Sequence, residues 1–387
     1  MSDWTTKQFI FAVMMVTTGS CNTLFTKWAD MMKAENSVGE EEEFNHPFLQ
    51  ADFMFIGEMM CGMLFYMLLC IAWRKNKSKG EPPKEVGKFP PLIFYIPAVC
   101  DMLATSLQYM GLTLTFASSY QMLRGSVIVF TGMFSVAFLG RKFRYYHWVG
   151  MALIIVGLAC TGIADFLVTS DSYDINGLIT GDLLILMGQI VHATQMVTEE
   201  KFVTKHNVPA LLGVGWEGLF GFLSMSLLLI PMYYLPAGKD SFGRGNPRGV
   251  LEDALDGFAQ LGNNPTLLAP ISGNILSIAF FNFAGMSMTK ERGATTRMVM
   301  DSVRCVVIWM VSLLAGWQPI EALQISVQAV GFTMITVGMF IYNDLLILPW
   351  MRRKGWVKDQ VEDDLIPVDV NKELNEAGGN DNAALES

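Results

Sequence analysis

The chain consists largely of continuous apolar blocks of about 20 residues, the length at which an α-helix crosses ~30 Å of hydrocarbon. Hydrophobic residues make up 52% of the 387 residues and charged residues only 16%, whereas a soluble domain is about a quarter charged. The blocks do not alternate, which favours helices over a membrane barrel. The sequence therefore predicts an all-α polytopic membrane protein. Ten spans are expected near 8–30, 48–73, 90–112, 116–139, 145–167, 177–199, 209–235, 267–289, 293–315 and 321–348.

Lysine and arginine concentrate in the loops that follow even-numbered spans, and the loop at 74–88 alone holds six of them. Loops after odd-numbered spans hold few, including three in the long loop at 236–266. Because positive loops stay cytosolic, both termini are predicted to be cytosolic. The six cysteines lie singly inside spans, so neither a lumenal disulfide nor a metal site is expected.

The chain contains an internal similarity between residues 117–157 and 294–338. Ala-Ser-Ser opens the first segment and Ala-Thr-Thr the second, and in each the following span carries two Val-Gly pairs seven residues apart. Two halves of five spans, an odd number, must lie in opposite orientations. This arrangement is typical of secondary transporters, whose substrate site lies near the membrane midplane between the repeats.

The similarity also predicts the domain organisation. The first five-helix repeat is expected at 1–170 and the second at 171–350, including the predicted lumenal loop at 236–266. Residues 351–387 form an acidic, polar tail, which is expected to be disordered and cytosolic.

Arg124 is the one charge in the apolar stretch 116–139, where a guanidinium costs at least a few kcal/mol. Without a gap, the repeat aligns Arg124 with Asp301, and Arg304 follows one turn later. We expect both arginines to contact a polar or anionic part of a solute, with Asp301 balancing their charge. Gln121 and Asn22 are assigned to the same substrate pathway. The alternative is that Arg124 and Asp301 only hold two helices together.

Other ionisable residues lie deep inside predicted spans. Glu58 and Asp101 are about ten residues from a predicted helix end, and intramembrane carboxylates of this kind serve as proton relays. They are therefore candidates for proton coupling, together with Glu217 and His192. The alternative is that Glu58 and Asp101 pair with Lys27 or Arg124, or bond a neighbouring helix.

Span six carries Gln189, His192 and Gln195 at helical spacing. Such a polar stripe faces a wet cavity or another helix, because unsatisfied amides are costly in lipid. We assign Gln189, Gln195 and Asn282 of span eight to the substrate pathway. For His192, a hydrogen bond between helices is the alternative to a proton-carrying role.

The long loop contains an amphipathic stretch at 249–261. Leu251, Leu255, Phe258 and Leu261 fall on one helical face. We expect this helix to lie along the lumenal membrane surface.

Several stretches together resemble a known family: TGSCNTLFTKWAD, ASSYQMLRGSVIVFTGMFSVAFLGR, EEKFVTKHNV and ATTRMVMDSVRCVVIW. They are similar to the solute carrier 35 family, subfamily F, within the drug/metabolite transporter superfamily. The resemblance covers all ten spans. It implies ten transmembrane helices in two inverted five-helix repeats and transport across a lysosomal or other endomembrane.

The resemblance leaves the substrate class open. The family name points to nucleotide sugars, which are substrates of other subfamilies, whereas the chloroquine-resistance transporter, a more distant relative, implies amino acids, peptides or drugs. That relative has disulfides in its long lumenal loop. The loop at 236–266 has no cysteine, so this feature does not carry over.

The sequence offers no phosphate-binding Gly-x-x-x-x-Gly-Lys-Ser/Thr loop, no metal-ligand cluster and no nucleophile with a base. We therefore expect neither an ATP-driven pump nor an enzyme, and no cofactor or metal. The expected function is secondary-active, alternating-access transport of a small polar or anionic organic solute, coupled to protons. The expected partners are the solute, the lipid bilayer and a second copy or another membrane protein, without nucleic acid. A non-transporting membrane scaffold or regulator is the alternative.

Overall fold

The structure is a computed structural model that describes residues 5–79, 89–115, 120, 123–140, 143–168, 175–237, 247–314 and 322–342. Within these ranges the chain forms eleven α-helices, as the apolar blocks predict. They are α1 (Thr6–Asp30), α2 (Pro47–Lys79), α3 (Tyr95–Leu114), α4 (Val127–Leu139), α5 (Tyr145–Val168), α6 (Ile175–Lys205), α7 (Ala210–Met232), α8 (Ala254–Asn263), α9 (Leu268–Arg292), α10 (Ala294–Leu314) and α11 (Ala322–Tyr342).

The only strands in this described part of the chain form a small hairpin between α1 and α2. Strand β1 (Lys33–Glu35) pairs antiparallel with β2 (Glu41–Glu43). Short 3₁₀ turns precede α3 (Pro91–Phe94) and α9 (Pro265–Leu267).

Each predicted span overlaps one long helix, and α8 is the extra, short helix inside the long loop. Among the described residues, five stretches are long and apolar enough to cross a membrane, and three further apolar helices are shorter. These helices are typical of an integral membrane protein. The number of ten crossing segments, the cytosolic termini and the division near residue 170 stay predictions.

Helices from the first part of the chain pack mainly against helices from the second part. The most extensive pairs are α5 with α11, α3 with α6, α2 with α7 and α1 with α9. Further contacts join α4 to α6, α1 to α10, α2 to α9 and α3 to α7. The interior is therefore built between the two sequence halves rather than within each.

Glycines allow the backbones of these pairs to approach closely. A Cβ on Gly150 would lie 2.7 Å from the carbonyl oxygen of Gly338, and a Cβ on Gly338 would lie 2.7 Å from that of Gly150. One heptad further along α5, a Cβ on Gly157 would lie 2.8 Å from the oxygen of Gly331. The Val-Gly pairs of the two segments thus pack against each other. Close packing of small residues replaces the hydrophobic effect between helices in lipid.

We predict that Gly150→Ala destabilises the protein, because its methyl group would overlap the backbone of α11 and force the helices apart. The expected loss is about 1 to 3 kcal/mol, measured by thermal unfolding in detergent. Gly262→Ala in α8 is the matched control, because a Cβ there meets no atom within 4 Å. Equal stability of the Gly150→Ala and wild-type proteins would contradict this prediction, because it would show that α5 and α11 can move apart without loss of stability.

Candidate functional site

A buried ion pair joins α6 and α10 inside the helix bundle. Nη1 of Arg297 lies 2.5 Å from Oε2 of Glu199, with side chains 6% and 1% exposed. A buried pair is tolerated only when further hydrogen bonds satisfy both groups. Gln195 Nε2 donates to Glu199 Oε1 at 3.0 Å, and Arg297 Nη2 donates to Asn282 Oδ1 at 3.3 Å. The pair therefore connects three helices, since Asn282 belongs to α9.

The network extends from the ion pair in two directions. Asn282 Nδ2 donates to Glu58 Oε1 of α2 at 2.5 Å. On the other side, His192 Nδ1 lies 3.0 Å from Gln195 Oε1, and the histidine is the donor because the amide oxygen only accepts. A continuous chain of polar contacts thus runs from Glu58 through Arg297 to His192.

Two more carboxylates, of the half-buried Asp101 and the buried Glu217, surround this chain. Asp101 of α3 and Glu217 of α7 both interact electrostatically with Glu199 and Arg297. Glu217 is 7% exposed, and among the described residues its Oε1 has no hydrogen-bond partner. The predicted proton-coupling candidates Glu58, Asp101 and Glu217 therefore lie around one ion pair.

The side chain of Arg297 lies over a glycine of α9. A Cβ on Gly285 would lie 2.6 Å from Nε and 2.9 Å from Cζ of Arg297. Only glycine leaves space for the guanidinium at this contact, so Gly285 helps to position the ion pair.

Asp301 and Arg304, predicted to lie in a central site, form an ion pair with each other. Arg304 Nη2 is 3.2 Å from Asp301 Oδ2, three residues apart in α10. The Arg304 guanidinium also lies 4.9 Å from the ring centroid of Phe281 in α9. Asp301 thus balances the arginine in its own helix.

Arg124 lies just before α4, with its guanidinium 5.7 Å from the ring centroid of Tyr120. It interacts electrostatically with His192, as do Asp301 and Arg297. Arg124 and Asp301 thus interact with the same residue of α6, and their approach to one central site from two halves stays a prediction.

The remaining pathway candidates are placed differently. Asn22 of α1 donates to the side chain of Asn274, which in turn donates to Thr26 at 3.2 Å, so Asn22 joins α1 to α9. Gln189 is buried in α6, and in the described part of the chain its Nε2 has no hydrogen-bond partner. Gln121 lies outside the described residues.

Sequence reasoning missed Arg297 and Glu199. Both fall at the ends of predicted spans, where contact with water explains a charge. In the structure α6 continues to Lys205, which places Glu199 inside the helix. The neighbouring Glu200 accepts a 2.8 Å hydrogen bond from the backbone N–H of Ala294, the first residue of α10. The adjacent glutamates Glu199 and Glu200 are the sequence feature that could have indicated this site, because two carboxylates at a helix end attract both an arginine and a helix N-terminus.

A second polar cluster lies outside the membrane spans, where α8 packs on the hairpin. We call this cluster the cap; it comprises the hairpin 33–43, residues 44–46 and residues 252–264. The buried His46 places Nδ1 2.7 Å from Glu252 Oε1 and Nε2 3.6 Å from Asp256 Oδ2. Burial lowers the pKa of His46, but its interactions with the carboxylates of Asp256 and Glu252 outweigh burial and raise that pKa to about 9.

The partner carboxylate shows the opposite change. Burial raises the pKa of Asp256, but the nearby His46 ring and the hydrogen bond from Ser37 outweigh burial and lower that pKa from its ordinary value of 3.8. The backbone N–H of Ser37 donates to Asp256 Oδ1 at 2.6 Å. Ionised groups of opposite charge, His46 and the carboxylates of residues 252–256, therefore hold the cap together.

The loop helix begins later than predicted, at Ala254, because the Asp253 side chain caps it by accepting from the Asp256 N–H. Its polar residues Asp256 and Gln260 are buried, and Leu255 and Phe258 are exposed. The helix thus docks on the protein through its polar face. Contact of its apolar face with the membrane surface stays a prediction.

We predict that Glu199→Gln costs about 3 to 5 kcal/mol in thermal unfolding, because it leaves Arg297 buried without a counter-charge. The double variant Glu199→Gln/Arg297→Gln should recover part of this loss. Glu291→Gln is the control, because it removes the exposed pair with Lys7 and should cost at most about 1 kcal/mol. Equal losses in the two single variants would contradict a buried, structural ion pair.

We predict that the cap is more stable at mildly acidic and neutral pH than in alkali. His46 has a folded pKa near 9 against an ordinary 6.5, so its contribution is complete below about pH 6.5 and is lost as pH rises through about 9. Cleavage within the cap by a pH-tolerant protease should therefore be slower at about pH 6 than at about pH 9.5. The His46→Gln variant should be cleaved at the same rate at both pH values. Equal protection of the wild-type cap at both values would refute the ionic closure.

A family model, the EamA-like transporter family, matches residues 49–163. "Solute carrier family 35 member F6" of Homo sapiens is 54% identical over 344 residues, which cover 88% of this chain and 90% of that protein. An uncharacterized protein of Schizosaccharomyces pombe is 30% identical over 88% of this chain and 98% of its own length.

A crystal structure with 14% identity aligns with a TM-score of 0.53 over 87% of this chain and 96% of its own, which shows a shared fold. Solute carriers are membrane transporters and not enzymes. The identity to the human relative extends over nearly the whole of both chains, and the matched family model lies in the drug/metabolite transporter superfamily. The chain therefore belongs to the solute carrier 35 family.

Proposed function

We propose that the protein is a secondary-active transporter that moves a small polar or anionic organic solute across an endomembrane by alternating access, coupled to protons. The observation that carries this proposal is the buried network from Glu58 through Asn282 and Arg297 to Glu199, Gln195 and His192. Ionisable groups inside a membrane are costly, and they mark solute and proton pathways.

The pattern of helix contacts supports two inverted five-helix repeats. Two inverted repeats would relate α1 to α5, in order, to α6, α7, α9, α10 and α11. Under this relation the contact of α1 with α9 corresponds to that of α6 with α3, and the contact of α1 with α10 corresponds to that of α6 with α4. The contact of α2 with α9 corresponds to that of α7 with α3, and the pairs α2·α7 and α5·α11 each correspond to themselves. All of these pairs are in contact. A pseudo-two-fold axis of this kind provides the alternating access of secondary transporters by rocking one repeat against the other.

The proposed roles of the residues follow from their positions. Arg124 and Arg304 contact the solute, and Asp301 balances their charge. Glu58, Asp101, Glu217 and His192 are the candidates that carry the coupling proton. The remaining pathway residues are polar side chains without charge: Gln121, Asn22, Gln189, Gln195 and Asn282.

The ion pair of Glu199 and Arg297 has a separate proposed role. It fixes α6 to α10 on one side of the network, so these helices separate only when the pair breaks. Breaking a buried pair without a replacement partner costs several kcal/mol. The pair therefore holds that side closed until a solute or proton rebalances the charge.

Uptake into proteoliposomes tests the function. A mixed solute pool is offered with and without an imposed pH gradient, and accumulated solutes are identified by mass spectrometry. We expect a polar or anionic organic solute to accumulate only with the gradient, because carboxylates around the pathway must exchange protons. Failure of any solute to accumulate, with folding confirmed, would favour a membrane scaffold.

We predict that Arg124→Gln abolishes this accumulation without unfolding the protein, because the solute loses a charged hydrogen-bond donor. Lys7→Gln is the control, since the exposed Lys7 side chain pairs with Glu291 at the protein surface. Thermal unfolding of both variants separates loss of transport from loss of structure. Normal transport by Arg124→Gln would remove this arginine from the pathway.

A further inference from the structure

The charges of the buried network do not balance. Among the described residues, the guanidinium that interacts with all four carboxylates of Glu58, Asp101, Glu199 and Glu217 is that of Arg297. Asp301 and Arg304 compensate each other. Three negative charges remain if all four carboxylates are ionised, and two remain when Arg124 is counted as well. Such an excess is not sustained in an apolar interior, so protons or another cation must occupy the network.

Glu217 is where this cation can bind. Its buried Oε1 has no hydrogen-bond partner among the described residues. The next residue, Gly218, packs directly on α2, because a Cβ there would lie 2.5 Å from Cβ of Glu58. Glu217 and Glu58 therefore project from helices in close contact, and both interact electrostatically with Asp101. The three carboxylates come from α2, α3 and α7.

The backbone around these residues indicates which type of cation fits. Transporters coordinate dehydrated sodium with carbonyl oxygens of unwound helix segments. Here the helices run unbroken through Glu58, Asp101 and Glu217, so their carbonyl oxygens are used within the helices. Only side-chain oxygens are available. An ammonium group has three N–H donors, one for each of the three carboxylates. It therefore fits this arrangement better than a bare metal ion does.

We propose that Glu58, Asp101 and Glu217 bind a protonated primary amine of the transported solute, in exchange for a proton. This inference rests on the proposed function and names the substrate class of its site. The solute is then a zwitterion or an amine, with any polar or anionic part directed to Arg124 and Arg304.

The exchange balances in atoms and charge. A carboxyl group of the site loses its proton to water as the ammonium group arrives, and the resulting carboxylate accepts N–H bonds from that group. One positive charge leaves and one enters, and no covalent bond other than O–H breaks. Among the described residues, Glu199 of α6, Asn282 of α9, Arg297 of α10, Cys61 of α2 and Thr105 of α3 also interact with these carboxylates.

The first test uses the wild-type protein and two versions of one solute pool. Half of the mixed pool is treated with acetic anhydride, which converts primary amines into neutral amides, and both halves are offered to proteoliposomes with a pH gradient. We expect the accumulated solutes to carry a primary amine and to disappear from the lumen of the vesicles when the pool is acetylated. Accumulation of solutes without an amine, unchanged by acetylation, would overturn the ammonium site and leave the transporter proposal intact.

Glu217→Gln provides the second test, with Asp52→Asn as the matched control. Asp52 also lies between α2 and α7, where it accepts a hydrogen bond from Ser226 at 3.2 Å. Loss of a charged hydrogen-bond acceptor should reduce uptake of the amine by about 10- to 100-fold in Glu217→Gln, and Asp52→Asn should transport normally. A trapped pH-sensitive dye should also show proton movement opposite to the amine.

Two outcomes separate the two proposals. Normal uptake and normal proton countermovement in Glu217→Gln would refute the ammonium site alone. Complete absence of uptake by the folded wild-type protein from both halves of the pool would refute the transporter proposal, and the ammonium site with it.

Discussion

The contact between Glu199 and Arg297 is the interaction on which the interior depends. Hydrocarbon offers no solvent for either charge, so the protein itself must stabilise both partners. Gln195 donates a hydrogen bond to Glu199 from α6, and Arg297 donates one to Asn282 of α9, although its Nε has no hydrogen-bond partner among the described residues. Gly285 leaves the space that the guanidinium occupies. Because four helices contribute to one pair of charges once Glu58 is included, none of them can move without changing the electrostatic balance of the others.

Close backbone contact is the second constraint, and it acts where the charges do not. The Val-Gly pairs of α5 and α11 bring carbonyl oxygens within van der Waals distance of the opposite helix. Between lipid-exposed helices there is little hydrophobic gain on association, so van der Waals contact supplies the stability. The bundle therefore combines tightly packed, apolar helix pairs such as α5 and α11 with a buried polar network.

Much of this could be predicted from the sequence. Each apolar block predicted the position of one helix, although α2 and α6 end six residues beyond the predicted spans. The repeated Val-Gly pairs, which marked the internal similarity, pack against each other in the structure. Helix ends were the weak point. Glu199 and Arg297 were assigned to span ends, where water accounts for charge, because the length of an apolar block does not reveal how far its helix continues. The pairing of His46 with Glu252 joins residues 206 positions apart, and no local pattern encodes such a contact.

The cap and the buried network respond differently to pH, which decides where a pH dependence of transport arises. With a pKa near 9, His46 is charged at both neutral and mildly acidic pH, and Asp256 is ionised at both because its pKa lies below 3.8. The cap therefore stays closed across the range found between the cytosol and an acidic organelle. The buried network has more carboxylates than cations, so its charge must be completed by protons or by a cationic group of the solute. The proposed proton coupling would therefore arise in the buried network, and the cap is a pH-resistant support for the ends of α1, α2 and α9.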